Sequence, residues 1–230
     1  MKTLNIHKNY FHYIPMDLND FETIIFDCDG VILNSNKIKT EGFFKTSIKF
    51  GKKNAEKLVK YHILNGGKSR YEKFNFFIDN ILNENLKKNN LLNELLIDFD
   101  KYTYKSLCKC EISKSIFKLK SKNKYSKWAV VSGSDHIQLN KIFEFKKIKD
   151  LFELGIFGSP ENKIEIIQNK LNKIKRPILF IGDSELDYKV ANYFNYSFLF
   201  LYGWTEMFKW KRFCKLNKIK YLKTLESLIK

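Results

Sequence analysis

The sequence predicts an α/β fold in which a parallel sheet with right-handed crossovers carries a helical insert after its first strand. Short apolar runs without polar alternation predict strands that are buried on both faces, and each run ends near small or acidic residues. Segments with helical spacing separate most of these runs, which is typical of a parallel α/β sheet. Residues 36–115 break the alternation, because they show helical patterns alone.

Five apolar runs predict the main strands of the sheet. They span residues 23–26, 128–131, 154–157, 178–181 and 197–201. Helical spacing between the later runs predicts helices at residues 137–145, 163–174 and 186–194. Residues 219–222 predict one more short strand, which a closing helix follows. Ligands of such sheets bind at the carboxyl ends of the strands, where the small and acidic residues of this chain lie.

The insert is predicted to be helical throughout. Helical patterns cover residues 54–65, 71–83 and 91–107. The pair Gly66-Gly67 divides the insert into two parts, since glycine interrupts a helix.

Charge and composition favour a protein that binds small anions. The chain has 230 residues, a net charge of +17 and a hydrophobic fraction of 44%, which is enough to bury a sizeable core. Because the lysines are spread along the whole chain, coding bias and anionic small molecules explain the charge better than nucleic acid does. The four cysteines lack metal-site spacing, and no run has the apolar character of a signal peptide or a membrane span. We therefore expect a cytoplasmic protein with reduced thiols.

Two carboxylates follow the first predicted strand. Asp27 and Asp29 are two residues apart, so both can point into one pocket, where one attacks phosphorus and the other handles a proton. Gly30 allows the chain to turn sharply out of the strand. An acidic turn without catalytic function is the alternative interpretation.

Further candidate residues follow later strands at the same edge of the sheet. Asp183 and Asp187 lie one helical turn apart and, with Asp27, form the oxygen-only cluster that Mg²⁺ prefers. Ser132, with the backbone N–H groups beside it, and Lys163, at the start of a helix, have the chemistry to hold a phosphate. Taken singly, these residues are also consistent with helix caps and solvated lysines.

The order of these motifs resembles the haloacid dehalogenase-like (HAD) superfamily, in its phosphoglycolate phosphatase and β-phosphoglucomutase-like branch. The resemblance covers residues 21 to about 203. It implies a Rossmann-like core formed by residues 1–35 and 116–230, with residues 36–115 as a helical cap.

The resemblance also implies catalytic roles. Asp27 is implied as the nucleophile and Asp29 as the general acid/base. Ser132, Gly133 and Lys163 are implied as the residues that bind the phosphoryl group.

Mg²⁺ is the cofactor that the resemblance implies. Its ligands would be Asp27, Asp183, the backbone carbonyl of Asp29 and, in support, Asp187. As a general acid, Asp29 must hold a proton near neutral pH, and we expect neighbouring carboxylates to raise its pKa in that direction.

The cap segment 65–74 is the best candidate for substrate contacts. It combines the glycine pair with three cations, Lys68, Arg70 and Lys73, and an arginine can fork onto a carboxylate or a phosphate. A helix–helix turn with solvated charges is the alternative.

The expected function is Mg²⁺-dependent hydrolysis of a small phosphate monoester through an aspartyl-phosphate intermediate. Sugar phosphates, sugar-acid phosphates and phosphoglycolate are the candidate substrates. A phosphosugar mutase similar to β-phosphoglucomutase would keep the same motifs. A non-catalytic protein that binds anions or nucleic acid is the third possibility, which the acidic cluster disfavours because carboxylates repel phosphate unless a metal is bound between them.

Overall fold

A computed structural model describes residues 16–83 and 88–229 and contains the predicted parallel sheet. Its six strands are all parallel and lie in the order β3-β2-β1-β4-β5-β6. The strands are β1 (Thr23–Phe26), β2 (Lys127–Asp135), β3 (Ile156–Ser159), β4 (Ile178–Gly182), β5 (Ser197–Leu201) and β6 (Lys220–Leu222).

Continuous apolar runs form these strands because both faces of the sheet are covered. On one face, alternate residues such as Ile24 and Phe26 pack into a core that helices α5 (Ile116–Lys122) and α6 (His136–Phe145) cover. Ile25, which lies between Ile24 and Phe26 in β1, packs on the other face. The predicted Rossmann-like α/β architecture is therefore confirmed.

Two strand bounds differ from the prediction. β2 was expected to end at Val131 but continues to Asp135, because Asp135 still pairs with Ser159 of β3. Small polar residues at 132–134 gave the pattern of a loop, although here they are extended. β3 begins at Ile156 rather than at residue 154.

The core helices lie close to their predicted positions. The remaining core helices are α7 (Lys163–Lys170), α8 (Glu185–Tyr193) and α9 (Trp210–Leu216). The short helices α5 and α9 were not predicted, since neither is longer than two turns. A 3₁₀ turn, Leu225–Leu228, replaces the closing helix that the sequence predicted.

The insertion between β1 and β2 is helical and has its own apolar core. It contains α1 (Asn36–Ser47), α2 (Lys52–Leu64), α3 (Arg70–Phe76), a π-helical segment Phe77–Leu82 and α4 (Lys88–Lys109). Buried aromatic residues, among them Phe43, Phe74 and Phe99, form the centre of this second core. The Gly66-Gly67 pair separates α2 from α3, as predicted.

The structure adds two general observations. Within the described ranges, no helix has both the length and the apolar character that crossing a lipid bilayer requires. The four cysteines are free thiols.

Candidate active site

The carboxyl edge of the sheet brings the predicted acidic residues together. Asp27 directly follows β1 and Asp183 directly follows β4, its neighbour in the sheet. Lys163 opens α7 after β3, and Asp187 lies in the first turn of α8. Parallel strands end at the same edge, so residues that are far apart in sequence meet there.

Lys163 joins two of these carboxylates. Its Nζ donates to Asp27 Oδ1 at 2.8 Å and to Asp187 Oδ1 at 2.6 Å, and all three residues are buried. Burial raises the pKa of the Asp27 carboxyl to about 7, even though Lys163 acts in the opposite direction. Burial lowers the pKa of Lys163, but the two carboxylates outweigh this effect and hold it above its usual range.

Asp183 and Asp187 are held by neighbouring polar groups. Asn36 Nδ2 donates to Asp183 Oδ2 at 2.8 Å, and Ser184 donates to Asp187 Oδ2 through its backbone N and its Oγ. Gly30 has φ +78°, and a Cβ there would lie 2.0 Å from Asp183 Oδ2. Glycine is therefore required at position 30 both for the turn and for the approach of Asp183.

The acidic cluster fits a divalent cation. Oxygens of Asp27, Asp183 and Asp187 lie within 4.8 Å of one another, and the one ammonium of Lys163 leaves two of the three negative charges uncompensated when all three are ionised. Among the described residues, Asp27 and Asp183 each keep an oxygen that accepts no hydrogen bond, whereas both oxygens of Asp187 are engaged. Oxygen-only donors suit Mg²⁺.

Asp29 has partners that the sequence analysis missed. Its carboxylate accepts hydrogen bonds from Ser134 Oγ at 2.8 Å, from Ser35 Oγ and from the ammonium of Lys39. Burial acts to raise the pKa of Asp29, but the charge of Lys39 and these hydrogen bonds outweigh it, and the pKa lies below its usual value. The expectation of a raised pKa was wrong, because it considered only the neighbouring carboxylates.

A helical pattern could have found this contact. Ser35 lies directly before α1, and Lys39 lies four residues after Ser35. Both side chains are therefore on the same face of the helix. What the sequence did not indicate is that this face of α1 turns toward Asp29.

The predicted phosphate-binding residues differ in their access to the site. A cavity of about 530 Å³ between the insertion and the sheet is lined by Asp27, Asp29 and Gly133, among others. Ser132 and Lys163 are buried and are not among the residues that line it. Ser132 is fully buried and its Oγ accepts a hydrogen bond from Ser134 N at 3.1 Å.

Gly133 lies close against the insertion. A Cβ on Gly133 would lie 2.3 Å from the backbone oxygen of Gly67. We expect Gly133→Ala to displace the Gly66-Gly67 loop and to lower kcat/KM by roughly 10–100-fold. Steady-state kinetics would measure this, with Gly66→Ala as the matched control, since a Cβ there meets Ser184 Cβ at an ordinary 3.4 Å. Equal effects of the two substitutions would contradict the steric explanation.

All three predicted cap residues line the cavity, but they are not equivalent. Lys68 is half-buried and lies 3.5 Å from Tyr61 Oη. Arg70 is buried, paired with Asp100, and donates to Gln138 Oε1 at 2.6 Å. Lys73 is 3% exposed and lies 2.9 Å from His62 Nδ1. The solvated-turn alternative is thus wrong for Arg70 and Lys73.

The fold is of the parallel α/β class, and its acidic cluster lies at the carboxyl edge of the sheet. The chain belongs to the haloacid dehalogenase-like hydrolase family, whose sequence profile matches residues 21–195. The family resemblance in the motifs is therefore confirmed. No curated protein sequence matches the chain.

Solved structures share the fold at low sequence identity. A haloacid dehalogenase-like family hydrolase from Streptococcus pneumoniae is 18% identical, with a TM-score of 0.64 over 92% of this chain and 98% of that one. A predicted phosphatase from Clostridium acetobutylicum is 18% identical, with a TM-score of 0.70 over 90% of this chain and 96% of that one. The β-phosphoglucomutase from Clostridium difficile is 19% identical, with a TM-score of 0.64 over 90% of this chain and 92% of that one.

Proposed function

We propose that the protein is a phosphatase that hydrolyses the phosphate monoester of a small metabolite through an aspartyl-phosphate on Asp27. The position of Asp27 is the observation that supports this most directly. It lines the cavity, while Lys163 and the acidic cluster lie against it. The family membership and the predicted phosphatase among the structural neighbours agree with this reaction.

In the first step, an oxygen of Asp27 attacks phosphorus and the bond from phosphorus to the leaving oxygen breaks. Lys163 offsets part of the negative charge, since its ammonium is fixed 2.8 Å from the nucleophile. Bound Mg²⁺, held by Asp27 and Asp183 with Asp187 in support, would offset the repulsion between the carboxylates and the phosphate. Ser132 and Gly133 would complete the phosphoryl site through the backbone of β2.

Asp29 would give the leaving oxygen its proton and then take a proton from the attacking water. Its carboxylate lines the same cavity as Asp27, as a group that exchanges protons with the leaving oxygen and the water must. In the resting protein Lys39 and Ser134 hold it ionised, which is the form that the second step requires. It must take up a proton before the first step.

Asp29→Asn should separate these two steps. With p-nitrophenyl phosphate, whose leaving group needs no proton, we expect one nitrophenolate per protein in a burst and then turnover reduced about 10²–10⁴-fold. With a sugar phosphate, both steps should be slow. Stopped-flow absorbance measures the burst, and steady-state turnover equal to that of the unsubstituted protein would rule out this role.

The helical insertion would act as the cap of the enzyme. We propose that residues 36–115 form this cap over a core of residues 1–35 and 116–230, of which residues 1–15, 84–87 and 230 lie outside the described part of the chain. The contacts of Gly67 with Gly133, and of Arg70 with Gln138, support this division, because they join the two parts around the cavity. In enzymes of this design, closure over the substrate excludes water from the reaction.

A phosphate-release screen tests the proposed function. Sugar phosphates, sugar-acid phosphates and phosphoglycolate would be incubated with Mg²⁺ and, in parallel, with EDTA. Release that requires Mg²⁺ supports the proposal and identifies the substrate class. The proposal would be rejected if phosphate were released neither from any of these substrates nor from p-nitrophenyl phosphate.

A phosphosugar mutase is the second candidate, because a buried cation of the insertion, Lys73, faces the same cavity. A mutase returns the phosphoryl group of Asp27 to a second hydroxyl of the sugar, so it needs a site for a second phosphate. Isomerisation of a sugar phosphate that depends on added bisphosphate would favour this candidate over hydrolysis.

A further inference from the structure

Lys73 is a buried cation in the cavity wall with no carboxylate partner among the described residues. It lies on α3, is 3% exposed and lines the cavity. Two other cations of the wall are paired: Arg70 with Asp100 and Lys39 with Asp29. A buried charge without a counter-ion is unfavourable, so an anion bound beside Lys73 would stabilise the site.

A hydrogen-bond chain fixes Lys73 in place. Thr40 Oγ1 donates to Glu206 Oε2 at 2.7 Å and lies 3.0 Å from His62 Nε2. The Nε2 atom of His62 therefore carries the proton, and Nδ1 accepts from Lys73 at 2.9 Å. Burial and the nearby Lys73 hold the pKa of His62 well below its usual value, so the ring stays neutral and supplies no counter-charge.

The ammonium has donors left for a ligand. His62 Nδ1 is the one hydrogen-bond acceptor of Lys73 among the described residues, whereas an ammonium has three donors. Burial, with Lys39 adding to it, lowers the pKa of Lys73 to about 7. Asp29 has an opposing electrostatic effect on Lys73, which places this cation within electrostatic range of the catalytic side of the cavity.

We propose that Lys73 binds a second anionic group on the leaving group of the substrate, which is therefore a sugar-acid phosphate or a sugar bisphosphate rather than a neutral sugar phosphate. This inference rests on the proposed function, since it takes the phosphoryl end of the substrate to lie at Asp27. The cavity of about 530 Å³ is within the range of sites that bury a whole small ligand. Arg70, which the sequence favours as a fork for anions, already has its partners in Asp100 and Gln138.

Three ligands that differ only at one carbon provide the test. Glucose 1-phosphate, glucuronic acid 1-phosphate and glucose 1,6-bisphosphate carry a hydroxyl, a carboxylate and a phosphate at that carbon. Titration calorimetry in an Asp27→Asn background measures their Kd values without turnover. Glycerol 3-phosphate and 3-phosphoglycerate give the same comparison for a shorter leaving group.

We expect one charged ligand to bind at least tenfold more tightly than its neutral counterpart, and the identity of that ligand distinguishes a carboxylate from a second phosphate. Lys73→Met should bring this ratio close to one. Lys45→Met is the matched control on the same insertion, since Lys45 is exposed and, among the described residues, forms an ion pair with Glu41 alone, at 3.8 Å. No preference for charge in either series, or a preference that survives Lys73→Met, overturns the proposal.

Proton uptake gives a second measurement that needs no Lys73 variant. At pH 8 the protein should take up more protons when it binds the charged ligand than when it binds the neutral one, because the ligand anion raises the lowered pKa of Lys73. Calorimetry in two buffers of different ionisation enthalpy measures this difference. Among the described residues, the charged groups with the largest effects on Lys73 are Lys39, Asp29, Glu72 and Glu206, and the titratable group in contact with it is His62. Equal proton uptake by the protein on binding the two ligands would contradict a role for Lys73.

Failure of this inference differs from failure of the proposed function. Phosphate release without a preference for a second charge would reject the inference alone. A charge preference in binding that Lys73→Met removes, without any phosphate release, would reject the phosphatase alone.

Discussion

Replacing Asp27 with asparagine is expected to lower kcat by roughly 10⁴-fold or more, because an amide cannot form the phosphoryl intermediate. The substitution keeps the shape of the side chain, and its Oδ1 can still accept the hydrogen bond from Lys163, which is 2.8 Å in the native site. Phosphate release measures the loss. Trapping of a phosphorylated peptide by acid quench and mass spectrometry should succeed for the native protein and fail for the variant.

The stability of Asp27→Asn is the control for this experiment. Burial raises the pKa of Asp27 from 3.8 to about 7, so the ionised form is disfavoured in the folded protein. Asp27 therefore destabilises the native fold, and this effect grows as pH rises from about 4 to about 7. Between these values the carboxyl is ionised in the unfolded chain but still protonated in the folded protein. In EDTA at pH 8 the variant should therefore melt no lower than the native protein. A large fall in Tm would mean that the activity was lost through unfolding.

Much of the fold could be predicted because its cause is local. The runs that become β1 and β4 are apolar at every position since both faces of the sheet are covered, and this pattern is visible in the sequence. The convergence of Asp27 and Asp183 followed from the rule that parallel strands end at one edge. The extension of β2 to Asp135 was not visible, because it depends on pairing with Ser159 of another strand.

The electrostatics of the site could not be predicted in the same way. The sequence places Asp27 and Asp29 side by side, but it does not show that α1 brings Lys39 onto Asp29. The pKa of Asp29 consequently moves in the direction opposite to the expectation. The charge of Lys39, which the packing of α1 fixes beside Asp29, and the hydrogen bonds to Asp29 outweighed the effect of burial.

The insertion presents the same difficulty at Arg70 and Lys73. Both are cations in one short helix, and the sequence favoured Arg70 for anion binding because of its forked donors. In the structure the guanidinium of Arg70 already donates to Asp100 and Gln138. Lys73 instead faces the cavity, with a neutral histidine as its neighbour. Which cation remains available depends on side chains from α4 and α6, beyond the reach of any local pattern.

Lys163→Met is expected to destabilise the protein by about 3–5 kcal/mol in EDTA, a fall in Tm of roughly 6–20 °C. The ammonium is buried between Asp27 and Asp187, and a similar apolar side chain would leave both carboxylates without their common partner. Its raised pKa keeps Lys163 charged through neutral pH, and the comparison belongs at pH 8, where Asp27 is ionised as well. Thermal unfolding measures it, and unchanged Tm would mean that the ion pairs contribute nothing to folding.

The response to Mg²⁺ separates charge from packing in this variant. Without Lys163, three carboxylates share one buried space, so Mg²⁺ should raise the Tm of Lys163→Met by more than it raises that of the native protein. Lys170→Met, at the exposed end of the same helix, is the matched control and should change stability by no more than about 0.5 kcal/mol. Catalysis should remain low even where Mg²⁺ restores the fold, because a cation bound by the acidic cluster does not replace the ammonium that Lys163 directs at Asp27. Recovery of full activity with Mg²⁺ alone would show that Lys163 serves the fold and not the reaction.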